Sequence, residues 1–293
     1  MRTKQANRRP GVARVVDGVR ELPGFRNYPA LYVGSAWKAR RHRSDLATAR
    51  TFLVYVGHPR SGHSLVGSLL DANPSMVVAH ELDVLKYLEA GYRRDQLLTL
   101  VLEHSAANAA AGRRSWGYSY AVPDQWQGRF ERLEVVGDKR GRKTTARLHD
   151  DPTLLDRLAE RLDMPVKVVQ VVRNPYDDVA TMHKRNPDVG MDRQIEHYFT
   201  LAATVDGLTP DVPPDRFHRL RLEDLVADTR GELAALCRFL GVPAEPGYLD
   251  ACASIVFASP HRTRDGAPWT PDLRAEVARR IADHDWLAGY SFD

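Results

Sequence analysis

The sequence predicts an α/β fold in three layers: a central, mostly parallel sheet flanked by helices. Two observations carry this. Residues 51–71 pass from an apolar, β-branched run through a glycine-bounded loop into an amphipathic helical pattern. Residues 133–172 read as strand, helix, strand, a crossover that joins parallel neighbours and places helices on the sheet faces.

The elements follow in order. Residues 1–21 are rich in arginine and lack a period, which predicts a mobile segment or an arm over the surface. Residues 22–37 hold an apolar-aromatic piece (Phe25, Tyr28, Leu31, Tyr32, Val33, Trp37) that reads as packing against the domain or, alternatively, as membrane or partner docking. Phe52, Leu53, Val54 and Val56 predict a buried strand. After Gly57 and Gly62, Leu65, Val66, Leu69 and Leu70 share one helical face, closed by Asn73-Pro74. A short strand, Met76–Ala79, leads to His80-Glu81, and a helix spans 95–112. Residues 115–130 are dense in aromatics (Trp116, Tyr118, Tyr120, Trp126, Phe130), fitting either a core edge or the wall of a small-molecule pocket.

Leu133–Lys139 is the next strand. Asp151-Pro152 opens a helix with Leu154, Leu155, Leu158 and Leu162 on one face, and Val166–Val172 is a buried strand. A helix over 193–206, a strand over Phe217–Leu222 and a stripe of Leu233, Leu236 and Leu240 closed by Gly241 and Pro243 come next. Thr270-Pro271 caps the last helix, with Leu273, Val277 and Ile281 on one face. The expected organisation is one domain, 51–293, behind a basic extension, 1–50.

Composition narrows the class. At 293 residues, 43% hydrophobic and 27% charged, the chain is long enough for one substantial core. The net charge of +4 is uneven: residues 1–50 hold 12 Lys/Arg against 3 Asp/Glu, a balance of +9, which leaves −5 for the rest. The body is not basic, so no nucleic-acid partner is expected. The run Lys38–Arg43 makes the extension a candidate for peripheral membrane contact, or simply a solvated face. Cys237 and Cys252 have no metal-ligand or disulfide spacing and read as buried small hydrophobes. No uncharged run reaches the ~18 residues of a transmembrane helix, no secretory signal follows Met1, and a cytoplasmic location is expected. The sequence carries no signal for oligomeric state.

The loop after the first strand is Gly57-His-Pro-Arg-Ser-Gly62-His63-Ser64. Strand, glycine loop and helix N-terminus turn backbone N–H groups toward an anion. The spacing matches the triphosphate loop G-x-x-x-x-G-K-[ST], except that His63 takes the lysine position and the fixed cation moves to Arg60. Such a loop suits one phosphate carrying one transferable group. A nucleotide-dependent kinase is the alternative, against which His63 counts. A non-catalytic anion-binding or membrane-surface protein is a third reading.

At this point three stretches resemble one family. The loop with the following LLDANP is similar to the 5′-phosphosulfate loop of sulfotransferases that use 3′-phosphoadenosine 5′-phosphosulfate (PAPS), the tyrosylprotein branch in particular. Val168–Thr181 resembles the family's 3′-phosphate motif, with Arg173 and, eight positions on, Thr181. Leu222–Gly241 is similar to the YEDL…FLG segment, with Leu222 in place of the tyrosine, which leaves the adenine-stacking residue unassigned. The resemblance spans roughly residues 51 to 290. It implies a P-loop-like fold and metal-free, in-line transfer of a sulfuryl group to a hydroxyl of a small-molecule, sugar, lipid or tyrosyl acceptor, with adenosine 3′,5′-bisphosphate (PAP) as product.

The resemblance also implies roles. Arg60, with the N–H groups of Ser61, Gly62, His63 and Ser64 and the Ser64 hydroxyl, would hold the phosphosulfate. Arg173 and Thr181 would hold the 3′-phosphate, with Arg262 and Arg264 as further contacts. Glu81, 21 residues after Arg60, matches the tyrosylprotein branch's base; the alternatives are His80, His63, or Glu81 serving only as a structural hydrogen-bond acceptor. Strand alternation would point His80 and Glu81 to opposite faces. Lys139 would steady charge near the sulfuryl group, while Arg140, Arg142 and Lys143 would bind an anionic substrate or lie solvated.

Overall fold

The computed structural model describes residues 28–115, 117–259 and 261–293. Two short helices, α1 (Pro29–Ala39) and α2 (Arg43–Leu46), precede β1 (Thr51–Val56), α3 (His63–Asp71), β2 (Met76–His80), α4 (Val84–Glu89) and α5 (Arg94–Ala110). A small ribbon, β3 (Arg114–Ser115) and β4 (Tyr118–Ser119), leads to β5 (Val135–Lys139), α6 (Gly141–Asp150), α7 (Leu154–Leu162) and β6 (Val166–Val172). The rest is α8 (Pro175–Arg185), α9 (Met191–Leu208), β7 (Phe217–Arg221), α10 (Leu222–Ala227), α11 (Thr229–Leu240), α12 (Pro246–Ser254) and α13 (Pro271–Ile281).

Five strands form one sheet in the order β2-β5-β1-β6-β7, and every neighbouring pair is parallel. All six residues of β1 are buried, which is why the strand reads as an unbroken apolar run. Its alternation feeds two cores. Phe52, Val54 and Val56 pack with residues of α5 and α7, whereas Leu53 and Tyr55 pack with residues of α3 and α11. A third cluster joins α8, α9, α13 and the C-terminal Trp286 and Leu287.

The β5–β6 crossover contains two helices where the sequence predicts one. The additional helix, α6, buries Gly141, Thr144, Thr145 and Leu148; with a single aliphatic residue on that face, it lacks the leucine stripe that marks α7. The predicted N- and C-terminal stops behave as expected elsewhere. Thr270 Oγ1 accepts the Leu273 N–H at 3.2 Å to cap α13, and Gly241 closes α11 in the left-handed region. Burial pushes the Cys237 and Cys252 thiols up to about 11 and about 12.

At the end of α3, the buried Asp71 carboxylate accepts from Val78 N (2.5 Å), Ser105 Oγ (2.8 Å) and Gly128 N (2.8 Å), and pairs with buried Arg113. One carboxylate thus ties α3, β2, α5 and the segment before β5; breaking such a pair costs about 3–5 kcal/mol. Helix α1 packs on α5, with Tyr32 in the sheet's own core, while Leu31, Val33 and Trp37 stay exposed. The arginine-rich arm, Phe25 and Trp116 lie outside the described residues. Among the described residues, no helix is long and apolar enough to cross a membrane.

Candidate active site

The C-terminal ends of β1, β2, β5 and β6 open on a cleft of about 910 Å³, the edge at which open α/β sheets bind ligands. Arg60, Glu81, Lys139, Arg173, Thr181 and Arg262 all line it.

The loop from β1 to α3 is held from beneath. Gly57 N donates to Thr145 Oγ1 of α6 at 2.7 Å. Gly62 has φ +104°, and a Cβ there would lie 2.7 Å from Leu222 Cδ1, so conformation and space both require glycine. The Ser61 hydroxyl is buried and donates to His58 O at 3.0 Å. His58 in turn stacks on Tyr198, ring centroids 3.7 Å apart. His63 Nε2 lies 3.1 Å from Val56 O, and burial lowers the ring's pKa to about 3. The ring nitrogen that faces Val56 O ties the imidazole to the loop's scaffold, and its low pKa makes it a weak base. What the loop offers an anion is Arg60, the Ser64 hydroxyl and the first N–H groups of α3, which have no carbonyl within the helix. Arg60 is half-buried with φ +77°, a conformation that costs a side-chain-bearing residue about 1–2 kcal/mol.

Glu81 lies one residue beyond β2, also in the left-handed region at φ +67°. Strand alternation therefore does not govern its direction, contrary to the sequence argument. The turn is held by the Asp138 carboxylate, which accepts from Leu82 N (3.0 Å) and Val84 N (2.7 Å). Glu81 Oε1 is 3.0 Å from Lys139 Nζ, and Oε2 is 3.2 Å from an Arg140 guanidinium nitrogen. Lys139 Nζ also donates to Ser64 Oγ at 3.1 Å. The pair is asymmetric: the Lys139 side chain is 4% exposed, that of Glu81 48%. Burial alone would raise the Glu81 pKa, but Lys139, His80 and Arg140 outweigh it and hold the carboxyl below its ordinary value. Burial likewise lowers Lys139, with Glu81 opposing the fall. His80 does not line the cleft, and burial lowers its pKa to about 4.

At the other end, Arg173 leaves β6 and is 6% exposed. It donates to Thr181 Oγ1 (3.4 Å), Thr263 Oγ1 (3.4 Å) and His261 O. Its buried Nε has no partner among the described residues. The Asn174-Pro175 pair starts α8 directly: Asn174 Oδ1 caps Tyr176 N at 3.0 Å, and proline suits the first helical position. Arg262 is exposed and paired with Asp265 at 3.2 Å.

Arg264 departs from the expectation of a cofactor contact. It is buried outside the cleft lining, and its backbone N and guanidinium both donate to Asp177, at 2.9 and 2.7 Å. The acidic first turn of α8 attracts it, so it clamps the 263–266 turn against that helix. The aromatic stretch divides: Tyr118 and Tyr120 line the cleft with Phe257 and Leu222, whereas Phe130 packs on the core and Trp126 lies under Arg129. Arg185, unremarked in the sequence, also lines the cleft; its place one turn after Thr181 on α8 is the signal that finds it.

The sulfotransferase family model matches residues 53–246. The chain belongs to the sulfotransferase family. The fold of this sulfotransferase is similar to that of a sulfotransferase domain from the curacin biosynthetic pathway, at 19% identity over 80% of this chain and 96% of that one, with a TM-score of 0.50. A sulfotransferase domain of the Synechococcus PCC 7002 olefin synthase matches at 20% identity over 83% and 91% of the two chains, TM-score 0.46. A mouse sulfotransferase, SULT7A1, solved in complex with PAP, matches at 11% identity over 80% and 84%, TM-score 0.42. No curated protein sequence matches significantly. Family membership, with a neutral His63 where the triphosphate loop needs lysine, disfavours the kinase alternative.

Proposed function

We propose that this sulfotransferase uses PAPS as donor and sulfates a hydroxyl of a small-molecule, sugar, lipid or tyrosyl acceptor. The observation that carries the reading is that Arg60 and Arg173, emerging from adjacent strands, face one cleft. A nucleotide with anions at both ends needs two such grips. The partnerless buried Nε of Arg173 supports the fit, since a phosphate oxygen would satisfy it.

When bound, the donor supplies the sulfuryl group and a phosphate leaving group. Arg60, Ser64 and the α3 N–H groups hold its phosphosulfate; Arg173, Thr181 and Arg262 hold its 3′-phosphate. Glu81 takes the proton of the acceptor hydroxyl, which makes that oxygen the nucleophile. Lys139, between Glu81 and Ser64, meets the negative charge that grows on the departing oxygen. The ion pair keeps Glu81 ionised at neutral pH but also weakens it as a base. Drawing Lys139 toward the donor therefore strengthens Glu81 when it is needed. A cytoplasmic location, where PAPS is available, and a catalytic body over 51–293 behind a basic extension complete the reading.

A thermal shift tests it. PAP should raise Tm with the logarithm of its concentration, about 2.7 kcal/mol of stabilisation at a hundred times Kd, and ATP with magnesium should not. Absence of a PAP shift overturns the reading.

A further inference from the structure

Nine lysine and arginine side chains line the cleft against one carboxylate, Glu81. A phosphosulfate and a 3′-phosphate together bring about four negative charges. Donor, Glu81 and Asp265, the partner of Arg262, thus balance roughly six cations and leave about three over. The surplus is grouped. Arg142 and Lys143 stand in the first turn of α6, just past Arg140; Lys184 and Arg185 end α8, just past Thr181. The ion pairs of the cleft's cations, Lys139 and Arg140 with Glu81, Arg262 with Asp265 and Arg173 with Asp178 at 4.0 Å, leave Arg142, Lys143 and Lys184 uninvolved among the described residues. These three, like Arg185 beside them, are exposed to solvent. Burial lowers the Arg60 pKa and the nearby Arg185 lowers it further, and Tyr120 lies within electrostatic reach of both. Like charges gathered in one cleft repel one another and draw in an anion.

We propose that the acceptor is itself anionic: a small hydroxylated molecule bearing a phosphate, sulfate or carboxylate, which Arg142, Lys143, Lys184 and Arg185 receive. Its body lies against Tyr118 and Tyr120, which line the same cleft. This rests on the sulfotransferase reading of the cleft, and binding measurements let the two fail separately.

The enzyme is first saturated with PAP, then titrated by calorimetry with 4-hydroxyphenyl phosphate, 4-hydroxybenzoate and neutral 4-methoxyphenol. At least one anion should bind about ten-fold or more tighter than the neutral phenol, and its affinity should fall with added salt. The identity of the tighter anion separates phosphate-like from carboxylate acceptors. The double variant Lys143→Gln/Lys184→Gln should weaken that anion about ten-fold while PAP affinity stays within about two-fold. Equal affinity for charged and neutral phenols overturns the proposal while leaving the donor assignment standing. So does a double variant that loses PAP instead, which would move both lysines to the donor. Binding of heparin with neither small anion bound overturns the small-molecule acceptor. Failure of PAP itself to bind overturns both readings.

Discussion

At the Arg60 end of the cleft, the polar side chains hold one another across three strands: Lys139 reaches both Glu81 and Ser64, and Arg140 reaches Glu81 from the other side. At the Arg173 end, only the arginine comes from the sheet. Its partners His261 and Thr263 belong to a turn held down by the Arg264–Asp177 pair. The first arrangement fixes the relative positions of a carboxylate, a cation and a hydroxyl, which suits the base role proposed for Glu81, since bond-making chemistry requires fixed positions. In the second, each arginine already has protein partners, Arg173 on Thr181, Thr263 and His261 O and Arg262 on Asp265, an arrangement suited to holding an anion. On the proposed reading, chemistry belongs to the strand ends and affinity to the turn.

Three experiments break or sharpen this contrast. The largest effect is expected at Glu81: Glu81→Gln should lower turnover about 10²–10⁴-fold with PAP affinity unchanged, by labelled-PAPS assay and calorimetry. Retention of most activity would remove Glu81 as the base. A smaller loss is expected at the holding end. Arg173→Ala should cost about 1.5–3 kcal/mol of donor binding, roughly ten- to a hundredfold in Kd, with turnover at saturating donor much less affected. Equal losses in both would blur the division. The smallest effect is in pH. Glu81 serves only when ionised, and its pKa is lowered, so activity should hold through neutral pH and fall only below the ordinary glutamate value of about 4.3. Lys139 serves only when protonated, and its pKa is also lowered, so the alkaline fall should begin before about 10.4. An acid limb that persists in Glu81→Gln would assign it to another group.

The legible parts of the molecule are those whose signal is local. The run of β1, the glycines at 57 and 62 and the leucine stripe of α3 lie within about twenty residues, and the sheet edge they define brings Glu81, Lys139 and Arg173 with it. Helix α6 was illegible because Thr144 and Thr145, not aliphatics, make its buried face. Arg264 misleads because its partner, Asp177, is 87 positions upstream; only the folded chain brings them together. His63 and Ser61 sit in the motif, yet one imidazole and one hydroxyl are turned inward, a choice that spacing cannot express.

Because β1 and β6 are bonded neighbours, with Val56 opposite Gln170, the two segments they feed leave the sheet side by side. Strand pitch, about 4.8 Å, cannot change without unzipping the ladder. If Arg60 and Arg173 grip the two ends of the nucleotide as proposed, the sheet is its gauge: a donor lacking either terminal anion would leave one guanidinium unmatched, and discrimination against shortened analogues would be built into the frame itself.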